Sequence, residues 1–110
     1  MTANERDTWG YLIAWQFRPK AGAESRFETA YGPDGVWAKF FAQGDGFIAT
    51  ELNRDLRDPG RYLTLDLWVS KEAYDRFRSE HIAEYKAIDA QCEELTKQET
   101  ELGQFERLVS

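Results

Sequence analysis

The sequence has 110 residues, 15% of them aromatic, with 14 Lys and Arg against 20 Asp and Glu for a formal charge of −6. That length fits one domain able to bury roughly two thirds of its unfolded surface, and the acidic balance disfavours nucleic acid and anionic membrane surfaces as partners. Cys92 is the only cysteine and His81 the only histidine, which excludes an intrachain disulfide and a thiolate zinc cluster.

Residues 1–8 are polar and read as a flexible N-terminal tail ahead of a single domain at 9–110. The tail lacks the apolar stretch of a secretory signal. No later run approaches the roughly 18 apolar residues of a spanning helix, so the cytoplasm is the expected location. Residues 11–18 alternate Tyr11, Ile13, Trp15 and Phe17 against Leu12, Ala14, Gln16 and Arg18, the period of a strand. Pro19 and Gly22 end it. From Ala23 the spacing turns helical through Phe27, Ala30 and Tyr31, breaks at Gly32, Pro33, Asp34 and Gly35, and resumes at Trp37, Phe40 and Phe41. Asp34 is the predicted cap of the second half.

Gly44, Asp45 and Gly46 form a turn signal before a second strand at 47–54. A turn containing Pro59 joins it to a third strand at 61–69, where Leu63, Leu65, Leu67 and Val69 alternate against Tyr62, Thr64, Asp66 and Trp68. Strands two and three are predicted to form a hairpin. Ser70 is placed to cap a following helix with Glu72 in its first turn and Ala73, Tyr74 and Phe77 on its inner face. The helical pattern runs on through Ile82, Tyr85, Ile88, Cys92 and Leu95, with a bend near Ser79. Thr96 to Glu99 matches a capping box, predicting a short last helix ended by Gly103 and a final strand over 104–109.

Strand, helix, strand, strand, helix, strand is the split βαβ order of a ferredoxin-like α+β fold, with helices on one face of a four-stranded antiparallel sheet. The first and third strands carry large apolar groups on both faces, whereas an antiparallel sheet with one wet face carries polar residues there. The expected cover for the second face is an identical subunit, giving a homodimer through the sheet face.

Tyr31 to Trp37, Gly44 to Phe47, and Leu67 to Tyr74 with Phe77 resemble landmarks of the antibiotic-biosynthesis monooxygenase family, within the dimeric α/β-barrel superfamily. The likeness spans about residues 10–108. It implies the ferredoxin-like fold, the dimer, a pocket between sheet and helices, and oxygenation of a small aromatic or polyketide-like molecule without a bound cofactor. Trp68 matches a pocket tryptophan of several members, and alternation puts Asp66, Thr64 and Tyr62 on its face; the other reading of Trp68 is plain core. Asp66, Tyr74 and Gln16 join Trp68 as candidate substrate-binding residues.

His81 and Tyr85 are the candidate catalytic pair, because a spacing of i, i+4 puts a base and a hydroxyl on one helical face. Cofactor-free oxygenation requires a phenol or enol to lose its proton and become electron-rich enough to react with dioxygen. A solvated surface histidine is the alternative. Asp66 is either a general base with a pKa raised by burial or the partner of an arginine such as Arg18 or Arg107. Haem-degrading relatives carry an asparagine on the first strand and an iron-ligating helical histidine. Trp15 or Gln16 stands where that asparagine is sought, which weighs against haem, and no other cofactor or metal is indicated. Two other classes stay open: a non-catalytic dimeric small-ligand module, which a structure with no cavity behind Trp68 would favour, and an isomerase or lyase on the same scaffold.

Overall fold

A computed structural model describes residues 5–108. Within the predicted tail, residues 1–4 lie outside the described residues and Glu5–Thr8 form a 3-10 turn. The chain then builds β1 (Tyr11–Pro19), α1 (Glu24–Tyr31), α2 (Val36–Phe41), β2 (Phe47–Arg54), β3 (Tyr62–Trp68), α3 (Lys71–Glu80), α4 (Ile82–Cys92) and β4 (Thr96–Glu106). The strands lie in the order β2-β3-β1-β4, every neighbour antiparallel, the arrangement of a ferredoxin-like α+β fold. In one chain this sheet is open, with β2 and β4 as its edges, and does not close into a barrel.

Two local expectations give way. The helix after the Gly32 to Gly35 break is capped at Gly35, without a side-chain hydrogen bond, and Asp34 does not serve. A Cβ at Gly35 would stand 2.3 Å from the carbonyl oxygens of Thr29 and Ala30, so the close return of the chain onto α1 requires glycine there. The predicted helix from Thr96 is instead the start of β4, and only a 3-10 turn, Glu93–Leu95, precedes it. A capping box satisfies a few amides locally, whereas β4 pairs with β1 from Thr96 to Glu106 and satisfies both chains. Gly103 lies beside a bulge in that pairing rather than at a helix end: Ala14 faces Gly103 and Trp15 faces Glu101, so Leu102 is the extra residue.

Other signals hold. Ser70 Oγ accepts a 3.1 Å hydrogen bond from the Ala73 amide and starts α3. The bend falls at His81, whose φ of −125° and ψ of 28° separate α3 from α4.

Register assigns the faces. Tyr11, Ile13, Trp15 and Phe17 of β1 sit opposite Trp68, Asp66, Thr64 and Tyr62 of β3, and this is the face the helices cover. Phe27 is wholly buried there, with its ring 5.5 Å from Phe17, 4.5 Å from Tyr31 and 4.9 Å from Tyr62. Trp68, also wholly buried, packs with Phe41, Phe47, Tyr74 and Phe77. The opposite face pairs Leu12 with Leu67, Ala14 with Leu65 and Gln16 with Leu63, and adds Phe105 from β4. On this face Ala14 and Leu67 are buried, Leu12, Leu63 and Leu65 are partly buried, and Phe105 is exposed.

Phe27→Ala is expected to lower unfolding free energy by about 3–5 kcal/mol, because the surrounding rings cannot collapse into the void. Ser70→Ala is expected to cost about 1 kcal/mol through the lost cap. Urea denaturation of the two variants checks the order.

Candidate functional site

A cleft opens between the helix-covered face of the sheet and the helices. Its floor is Trp15 and Phe17 of β1, Thr50 of β2, and Thr64 and Asp66 of β3. Tyr31 of α1 and Trp37 and Phe41 of α2 form one wall, while Tyr85 and Asp89 of α4 and Glu99 of β4 complete the rim. The space between these atoms, mouth included, is about 450 Å3.

The lining follows from strand alternation and helix geometry. Thr64 stands directly opposite Trp15, and Thr50 directly opposite Asp66, so polar and aromatic groups meet in pairs on one surface. Phe17 and Tyr31 pack 4.7 Å apart, and Trp37 meets Tyr85 edge-on at 5.1 Å. Tyr85 and Asp89 are four residues apart on α4 and share its inward face.

Asp66 is the chemically distinctive group. Its Oδ1 accepts a 2.8 Å hydrogen bond from the Thr50 hydroxyl, the only hydrogen bond of its side chain among the described residues. Neither expected arginine reaches it: Arg18 pairs with Asp58 at 2.7 Å, and Arg107 donates to the backbone oxygens of Asp7 and Trp9. Burial therefore dominates and raises the Asp66 pKa from 3.8 to about 6, with the Thr50 bond pulling weakly the other way. Burial, with the neighbouring Tyr74, Asp89 and Asp66, pushes Tyr85 up to about 12 against the pull of Arg78. Tyr85 thus keeps its proton at neutral pH and is a hydrogen-bond donor. Tyr31 is raised for the same first reason. Burial raises the Glu99 pKa, and Asp89 and Glu93 add like charge.

Of the residues singled out from sequence, the structure brings Asp66 and Tyr85 together at the cleft. Trp68 shares their sheet face but is sealed among four rings, so the cavity begins beside Asp66 and not behind Trp68. Tyr74 packs against Tyr11 and Trp68, and its hydroxyl accepts from Arg78 at 2.8 Å. Gln16 is on the opposite face, where its Oε1 accepts from Arg61 Nε at 2.5 Å. Trp15 is therefore the β1 residue that lines the cleft.

His81 stacks on Phe77 at 4.3 Å and meets Phe40 edge-on at 6.1 Å, outside the cleft lining. Its Nδ1 lies 3.0 Å from the Phe77 carbonyl; because a carbonyl only accepts, that contact calls for the proton on Nδ1. With His81 turned to Phe77 and Trp15 on the strand, these residues do not fit a haem. Among the described residues no three His, Cys, Asp or Glu side chains are grouped to hold a metal ion, and no helix is long and apolar enough to cross a membrane.

Trp37, Tyr31 and Phe41 were visible in sequence only as members of an apolar stripe. Asp89 had a signal in its spacing from Tyr85. Glu99 had none, because its segment reads locally as helix.

The antibiotic biosynthesis monooxygenase family matches residues 11–90, and the chain belongs to that family. Every cleft residue except Glu99 lies inside that span. Among solved structures, the cofactor-independent oxygenase SnoaB from Streptomyces nogalater is 20% identical, with a TM-score of 0.60 over 93% of this chain and 96% of its own. Rv0793 from Mycobacterium tuberculosis is 18% identical, with a TM-score of 0.65 over 91% and 96%. A conserved protein from Methanosarcina mazei is 13% identical, with a TM-score of 0.66 over 94% and 97%. At these identities the likeness concerns the fold. No curated protein matches the chain.

A carboxyl whose folded pKa exceeds its unfolded value binds more protons folded than unfolded between the two. Stability attributable to Asp66 therefore falls as pH rises from about 4 to about 6, and the full cost stands above that range. Asp66→Asn keeps an acceptor for Thr50 and removes the charge. It is expected to be more stable than the parent at pH 8 by up to about 3 kcal/mol, with the difference gone at pH 4, as read by urea denaturation at the two pH values.

Proposed function

We propose that the chain is a cofactor-independent monooxygenase acting on a small aromatic or polyketide-like molecule held in this cleft, with Asp66 as the general base. The observation that carries the reading is a carboxylate on the floor of an aromatic cleft with no cationic partner among the described residues, its pKa raised to about 6. Such a group is ionised at neutral pH yet basic enough to take a proton from a phenol or enol. Family membership and the fold shared with a cofactor-independent oxygenase support it.

In this reading the substrate supplies all the electrons. For a phenol or enol whose keto tautomer carries a CH2 group, Asp66 removes one hydrogen of that group as a proton, and the resulting anion reduces dioxygen and bonds to it at that carbon. The proton held by Asp66 returns to the peroxide oxygen. O–O cleavage leaves one oxygen as a carbonyl and releases the other as water with both hydrogens of the former CH2 group. Tyr85, protonated because its pKa is about 12, donates to the substrate oxygen that develops charge. His81, outside the cleft, takes no part.

The open face of the sheet completes the proposal. Leu12, Leu63, Leu65 and Phe105 form an apolar surface bordered by Gln16, Arg18 and Glu51, and a second copy is the occupant that the family resemblance implies. Burial of that face holds β1 and β3, and with them the cleft floor, in a fixed geometry. Sedimentation at micromolar concentration is expected to show a dimer; a stable monomer removes this element.

Oxygen uptake with a panel of hydroquinones and anthrones tests the chemistry. The parent is expected to consume one O2 per carbonyl formed. Asp66→Asn is expected to lose about 100-fold or more in kcat, Tyr85→Phe about 10–100-fold, and His81→Ala nothing. Solvent deuterium exchange into the substrate without oxygen uptake would assign the same base to an isomerase instead.

A further inference from the structure

The cleft has a charge character that oxygenation by itself does not require. Its lining contains Asp66, Asp89 and Glu99 and no lysine, arginine or histidine. The remaining surface is six aromatic side chains and two threonines. We infer that the cleft selects a cationic ligand, an aromatic molecule bearing a protonated or quaternary amine, with the charge seated at the rim between Asp89 and Glu99.

Three observations converge on this reading. Carboxylates that line one cleft repel one another: burial is the first cause that raises Glu99, and the charges of Asp89 and Glu93 raise it further. A ligand cation relieves that repulsion, a neutral ligand leaves it, and an anion adds to it. Aromatic faces present negative electrostatic potential and favour the same sign of ligand. The protein already uses this preference once, because the Arg78 guanidinium lies 3.8 Å from the Tyr85 ring centroid. Arg78 does not line the cleft, and of the three carboxylates only Asp89 is among its charge partners.

The inference rests on the proposed chemistry at one point. Deprotonation by Asp66 creates a substrate anion, and no protein cation lines the cleft to stabilise it. An ammonium group on the substrate supplies that charge, while Tyr85 supplies a hydrogen bond.

The test is a titration followed through the indole N–H signals of the four tryptophans in 15N-labelled protein at pH 8. The probes are tyramine, 4-ethylphenol and 3-(4-hydroxyphenyl)propionate, one phenol ring with a positive, neutral or negative tail. Tyramine is expected to shift the Trp15 and Trp37 signals with an affinity about tenfold or more above that of 4-ethylphenol, with the propionate weakest. The advantage is expected to shrink with added salt. Asp89→Asn with Glu99→Gln is expected to abolish the difference while 4-ethylphenol still binds; Glu99→Gln alone, on an exposed stretch of β4, is expected to reduce it if the double variant fails to fold. Equal affinities, the reverse order, or no shift at Trp15 and Trp37 with tyramine overturns the inference. Tyramine selectivity without oxygen uptake on the hydroquinone panel would keep the cation preference and remove the oxygenase. Oxygen uptake without that selectivity would do the opposite.

Discussion

A carboxyl group on the buried face of a sheet has to be held against the loss of its hydration, and Asp66 is held by one hydroxyl, that of Thr50. Cross-strand register makes that contact: Thr50 and Asp66 are direct neighbours on β2 and β3. Without a guanidinium beside it, the carboxyl stays basic. Burial in the cleft acts on both groups, raising Asp66 and keeping the neighbouring Tyr85 protonated. Acid and base are separated by environment alone, a small set of groups with pKa values pushed far apart.

The two faces of the sheet divide the work. On β3 the more polar set, Tyr62, Thr64, Asp66 and Trp68, turns toward the helices, and the regular leucine set turns away from them. Placing the polar set inward makes the cleft floor and turns Leu63 and Leu65, both partly buried, to the opposite face, where Leu67 is already buried within the chain. The cleft floor and the leucine face thus have the same origin in one strand's alternation.

Much of this architecture was legible in the sequence where a signal was repeated. Alternation defined β1, β2 and β3, and Ser70 announced α3. Long-range pairing was the part that local patterns missed: Thr96 to Glu99 reads as a capping box, yet β1 offers a ladder along the whole of β4. That error concealed Glu99. The choice between Trp15 and Gln16 was equally out of reach, because alternation separates two faces without saying which one the helices take. Asp66 was identified, but its partner was not. Arg18 was committed instead to the hairpin turn through Asp58, a contact 40 residues away in sequence. His81 followed the i, i+4 rule as read, but the helix breaks at that residue and its ring turns to Phe77.

The account stands on the protonation of one side chain. Carbon-detected NMR of 13C-labelled aspartate, with Asp66→Asn to assign the signal, measures that carboxyl directly as pH is varied. A midpoint near 6 agrees with an unpaired, desolvated base on the cleft floor. A midpoint at or below about 4, the ordinary range of a solvated or cation-paired aspartate, would contradict it.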